Sequence, residues 1–156
     1  MFEIQNTKEI PLLRVNAHVF KHSKFGCTHL HLDCDSTEKA FSVAFRTIPK
    51  DHSGIAHILE HTVLCGSEKF PVRDPFFMMT RRSLSTFMNA MTYPDITAYP
   101  FATLNDKDYR NLLSVYLDAA FFPNIDELDF MQEGHRFELI KDGDKEKLAL
   151  KGVVYN

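Results

Sequence analysis

The sequence predicts an α+β protein, with a mixed or antiparallel sheet holding the amino-terminal strands and helices packed on one face. Three observations predict it. Residues 15–21, 28–34 and 40–47 alternate apolar and polar side chains with a period of two, as half-buried strands do. From Asn105 the period becomes helical, with Tyr109, Leu112, Leu113, Tyr116, Leu117 and Ala120 on one stripe. Between these regions, Ile55, Ile58, Leu59, Thr62 and Val63 follow the i, i+3, i+4, i+7 spacing of an amphipathic helix.

Taken in order, the strands are separated by turn signals at Gly26 and at Asp35-Ser36-Thr37-Glu38. In the second strand Leu30 and Leu32 share one face and His29 and His31 the other, which reads as a solvated sheet face in preference to a metal-binding His-x-His pair. The helix over residues 54–64 has Ser53 to cap its start and Gly66 to end it. Pro71, Arg73, Asp74 and Pro75 then form a loop, and residues 76–82 a short helix whose Arg81 and Arg82 are solvated. Residues 85–92 and 96–101 are strands joined at Tyr93-Pro94-Asp95, and Pro100, which donates no hydrogen bond, places the second at an edge or ends it. Asn105 caps the long helix and Pro123 stops it. A further helix is expected over residues 126–138, with Phe130, Met131, Gly134 and Phe137 inward. After the polar residues 141–147, residues 148–155 begin a strand or a helix.

The helix at 54–64 carries the chemistry. Its His57-Ile58-Leu59-Glu60-His61 run is the inverse of His-Glu-x-x-His, the arrangement called inverzincin. At about 100° per residue His57 and His61 lie roughly 40° apart, with Glu60 within roughly 60° of His57, so all three are expected opposite the apolar stripe. Imidazoles one turn apart can share one Zn²⁺ at about 2.0–2.1 Å, and a carboxylate beside them can take a proton from water. Two helical histidines are also commonly plain surface residues. A catalytic zinc site usually takes three protein ligands. Glu133, His135, Glu138, Asp118 and Asp129 are the downstream candidates, with Glu138 the best of them. Cys65, one turn beyond His61, reads as a small buried or helix-end thiol and not as a ligand.

The chain has 156 residues, 44% hydrophobic and 25% charged, enough for one domain with a real core. A net charge of −3 and a pI near 6.2 speak against a nucleic-acid partner. No apolar run reaches the roughly 18 residues of a membrane span, and the amino end lacks a basic-then-apolar signal segment, so a cytoplasmic location is expected. Cys27, Cys34 and Cys65 form no even framework, which fits a reducing compartment.

Beyond spacing, residues 54–67, 70–76, 83–98 and 111–119, with Gln132-Glu133-Gly134 and Lys151-Gly152-Val153-Val154-Tyr155-Asn156, resemble the presequence protease branch of the pitrilysin-like (M16) metallopeptidases. The resemblance covers nearly the whole chain. It implies a LuxS/mitochondrial-processing-peptidase-like metallohydrolase fold, zinc ligands at His57 and His61, and Glu60 as the general base. It also implies unstructured peptides as substrates, each adding as a strand beside residues 85–92 near the backbone of Asn89 and Ala90.

In that family the third zinc ligand is a glutamate just past the run ending here at Asn156. The chain is accordingly expected to be the front part of the first catalytic domain, 1–156, incomplete at its carboxy-terminal end. Zinc is then expected to be weakly held or absent, activity alone undetectable, and self-association through uncovered surface a consequence. Two rivals share the fold. The S-ribosylhomocysteine lyases also use His-x-x-Glu-His, but their third ligand is a cysteine downstream of the helix, and this chain has none after Cys65. A non-catalytic domain would have lost the motif that stands intact here.

Overall fold

The computed structural model describes residues 1–143 and 145–155. The chain divides into two compact units, Met1–Thr37 and Glu38–Asn156. The first is an antiparallel meander of β1 (Phe2–Ile10), β2 (Val15–His22) and β3 (Thr28–Cys34), in that order. Its first turn is a short 3₁₀ segment, Pro11–Leu13, closed by Arg14 in the left-handed region at φ 54°. The strand at Phe2–Ile10 precedes the earliest predicted strand. Its string of Gln5, Asn6, Thr7, Lys8 and Glu9 carries no period-two apolar signal, and it forms because its backbone pairs with β2.

The second unit is built on β7 (Ile96–Thr103), with β4 (Lys39–Arg46) antiparallel on one side and β5 (Ser85–Met88) and β6 (Met91–Thr92) on the other. Thr97, Tyr99, Phe101 and Thr103 are buried along one face of β7, the alternation that a half-covered strand requires. That face packs on α3 (Asp106–Phe121), whose Leu112 and Tyr116 join Val63, Tyr99 and Phe101 in the core. Asn105 caps α3 as expected, its side chain accepting from the backbone of Lys107 and Asp108 at 3.0 Å each. The remaining elements are α1 (Ile55–Val63), α2 (Pro75–Arg82), α4 (Glu127–Glu133) and a hairpin of β8 (Arg136–Asp142) and β9 (Lys145–Lys151).

Pro100 departs from its expected place, because it lies in the middle of the central strand β7. Asn89 N–H donates to the Pro100 carbonyl at 3.1 Å, so the missing Pro100 N–H faces Asn89 as well. The predicted strand over 85–92 breaks there, into β5 and β6, with Asn89 and Ala90 between. The Asn89 carbonyl, left without a ladder donor, accepts instead from the Tyr116 hydroxyl at 3.3 Å.

The helix expected over 126–138 is also corrected. It stops at Glu133, because Gly134 closes against the helix: a Cβ there would meet the Phe130 carbonyl at 2.8 Å. The chain then turns into β8, and Gly143 at φ 66° supplies the tight turn to β9.

Candidate active site

Helix α1 begins after Gly54, itself in the left-handed region at φ 70°, and not at a Ser53 cap; Ser53 N–H is instead taken by the Asp51 side chain at 3.0 Å. Leu64 follows as its C-cap, two residues before Gly66. The two faces expected of it are only partly realised. Ile58, Thr62 and Val63 are buried, whereas Ile55 and Leu59 of the predicted stripe are 68% and 44% exposed. Glu60, expected on an open polar face, is 7% exposed. The helix packs against α4, β6 and β7, so Glu60 is covered by neighbours invisible to helical periodicity, while His57 stays exposed and His61 half-buried.

Along this side of the helix lies an open cavity of about 540 Å³. His57, Glu60 and His61 line it from α1, Asn89 and Ala90 from the strand break, and Glu133 from the end of α4. Cys65, Asp74, Phe76 and Phe77 complete much of the remainder. The imidazoles of His57 and His61 stand with ring centroids 5.0 Å apart at 71°. Glu133 Oε2 lies 2.9 Å from His61 Nδ1. Glu60 is near enough to Tyr99 that its charge adds to burial in pushing the Tyr99 hydroxyl above its ordinary range. Burial, helped by Asp129, Asp74 and Glu133, pushes the Cys65 thiol up to about 12. Its Sγ donates to the His61 carbonyl at 3.5 Å, so it stays a thiol in the helix end, the plain role expected of it.

The downstream candidates separate clearly. Glu138 lies on β8, paired with Arg136 at 2.8 Å, and does not line the cavity. The correction follows from the end of α4 at Glu133, since a strand carries Glu138 away from the helix stripe that recommended it. Asp118 accepts from Lys69 N–H at 2.8 Å, and the His135 ring packs on Phe130. Of the five, Glu133 reaches the cavity. Its place one residue before a helix-stopping glycine, within the Gln132-Glu133-Gly134 run that shares in the resemblance, is the sequence signal that hinted at this. Arg81 and Arg82 are exposed, as are His29 and His31 on β3.

The donor set suits a zinc ion in part: two imidazoles one turn apart, with a buried carboxylate beside them. Among the described residues no group of three or more His, Cys, Asp or Glu side chains is gathered closely enough to hold a metal. The position that the resemblance gives to the third ligand, directly after Asn156, lies outside the described residues.

A sheet-and-helix unit that turns a His-x-x-Glu-His helix toward a cavity beside a broken edge strand has the architecture of the pitrilysin-like peptidase fold. Crystalline pitrilysin has the same fold, with a TM-score of 0.67 over 81% of this chain and 14% of that one, at 21% identity. The chain belongs to peptidase family M16: residues 46–147 match the family model described as Insulinase (Peptidase family M16). It is 55% identical over 157 residues to the mitochondrial presequence protease of Candida albicans and 54% over 156 residues to that of Mus musculus, in each case across 99% of this chain. The mitochondrial presequence protease of Schizosaccharomyces pombe is 51% identical. The chain spans 15% of the length of the Candida albicans and Mus musculus relatives.

The expected cytoplasmic location is corrected by these relatives, which are named mitochondrial. A stretch matching so small a share of its relatives carries no information on what precedes it, and the composition of its first residues was therefore no guide to compartment.

Proposed function

We propose that this chain carries the metal-binding helix of a zinc-dependent endopeptidase that cuts unstructured peptides, with His57 and His61 as ligands and Glu60 as general base. The mitochondrial names of its relatives support a mitochondrial place of action. The observation that carries the reading is the convergence of these three side chains on one cavity with Asn89 and Ala90. Zinc, when bound, would lower the pKa of water and polarise the scissile carbonyl. Glu60 would take the proton of the attacking water, and its burial keeps that carboxylate from being screened by bulk solvent.

A peptide laid along β5 and β6 as an added strand would be read through its main chain, which suits varied sequences. Of the two residues at the strand break, Ala90 is the better contact. Asn89 N–H and C=O are committed to Pro100 and Tyr116, whereas Ala90 N–H is held by the Asn89 side chain at 3.0 Å, an exposed acceptor that a substrate carbonyl can replace.

Two measurements test the reading. Metal analysis of a protein of the relatives' length carrying this chain should find zinc whose retention depends on His57 and His61. In a protein of the relatives' length carrying this chain, Glu60→Gln should lower hydrolysis of an unstructured peptide by about 10²-fold or more while zinc content is unchanged. Undiminished cleavage, or cleavage that requires a folded substrate, would reject it.

A further inference from the structure

We propose that Glu133 is a positioning residue for His61, and that Gln132 and Arg73 hold it in place. The inference rests on the zinc reading above. Glu133 Oε2 stands 2.9 Å from His61 Nδ1, and its other oxygen accepts from Gln132 Nε2 at 2.8 Å. The Gln132 side-chain oxygen accepts in turn from an Arg73 guanidinium nitrogen at 2.6 Å. A neutral imidazole that donates from Nδ1 has a bare Nε2, the nitrogen then open to a metal. The carboxylate thus sits on the ring nitrogen that Nε2 ligation would leave over, where it fixes the tautomer and orients the ring.

The backbone around Glu133 is anchored from both sides. Gly134 packs so closely on α1 that a Cβ there would stand 3.1 Å from Ile58 Cγ2, which ties the end of α4 to the motif helix. Val153 N–H donates to the Gln132 carbonyl at 3.2 Å and Val154 N–H to the Glu133 carbonyl at 2.8 Å. The Glu133 side chain is only 12% exposed, so water cannot readily substitute for it on His61.

The test reads two quantities, the His61 tautomer in this chain and the zinc affinity of the longer protein. Nitrogen NMR of the metal-free protein should find His61 as the Nδ1–H tautomer, and Glu133→Ala should convert it largely to the Nε2–H form. Zinc affinity of a protein of the relatives' length carrying this chain, measured by competition with a chromophoric chelator, should fall about 10- to 100-fold in Glu133→Ala. Glu133→Gln, which keeps an acceptor oxygen and the side-chain volume, should recover part of both effects, and Arg73→Ala should produce a smaller loss than Glu133→Ala. An unchanged tautomer and affinity in Glu133→Ala would overturn the proposal. So would X-ray absorption placing the Glu133 carboxylate among the zinc's own ligands. Zinc binding indifferent to His57→Ala would instead sink the zinc reading, and the tautomer of metal-free His61 would then decide the Glu133 contact by itself.

Discussion

The chain holds two sets of paired histidines, and they differ in everything except residue type. On β3, His29 and His31 stack nearly parallel, ring centroids 6.4 Å apart at 12°, with His18 of β2 stacked 6.1 Å from His31. This sheet face is open, and Leu30 and Leu32 on the reverse face are 55% and 52% exposed. On α1, His57 and His61 meet at 71° inside a cavity with Glu60 and Glu133. Both spacings put two imidazoles side by side. What separates them is company: on the helix the exposed His57 and half-buried His61 stand beside Glu60 and Glu133, carboxylates shielded from water, where electrostatic and hydrogen-bonding effects are strong, and on the sheet the rings have no such partner among the described residues.

The largest effect that sharpens this contrast is in stability. Leu112 is fully buried in the second unit, and Leu112→Ala should cost about 2–5 kcal/mol in chemical denaturation. Leu30→Ala on the open sheet should stay within about 0.5 kcal/mol, and a loss comparable to that of Leu112→Ala would mean that the β1–β3 sheet is covered in solution. Next comes metal. His57→Ala should weaken zinc by at least about 100-fold, since losing even an outer partner of a ligand costs roughly 10- to 100-fold, whereas the double change His29→Ala with His31→Ala should leave chelator competition unchanged. The reverse result would transfer the metal site to the sheet.

Gly152→Ala should cost roughly 1–3 kcal/mol by overpacking, because its Cβ would fall 1.8 Å from the Gly134 carbonyl. A neutral outcome would detach the β8–β9 hairpin from the organisation of α4. Tyr116→Phe removes the donor to the Asn89 carbonyl and should cost about 0.5–1.5 kcal/mol, with a weaker peptide KM in the longer protein.

The smallest effect is chemical. Cys65, with its thiol pushed up from 9.0 to about 12, should be alkylated far more slowly at pH 8 than the exposed Cys27 and Cys34, as peptide mass spectrometry would read. Because the raised value favours the protonated thiol in the folded state, its contribution to stability is fully present below pH 9 and is lost as pH rises from 9 toward 12. Equal alkylation of the three thiols would mean that the cavity wall opens.

By itself the sequence determined what depends on local chemistry. The period of the side chains placed β2, β3 and β4 and the long helix α3, and Asn105 capped that helix as its side chain dictates. The His57, Glu60 and His61 spacing placed two imidazoles and a carboxylate on one short helix, within about one turn of each other. Tertiary structure decided what depends on neighbours distant in the chain. It buried Glu60 while leaving Ile55 and Leu59 exposed, because packing by α4, β6 and β7 and not the helix's own stripe determines which side meets water. It placed Pro100 in a central strand, because its missing donor coincides with the break at Asn89, where Tyr116 supplies the bond. It also brought Glu133 of the five downstream candidates to the cavity and left Glu138 on β8, because the close approach of Gly134 to Phe130 and Ile58 ends α4 five residues early, and such an approach is a property of three dimensions that no periodicity records.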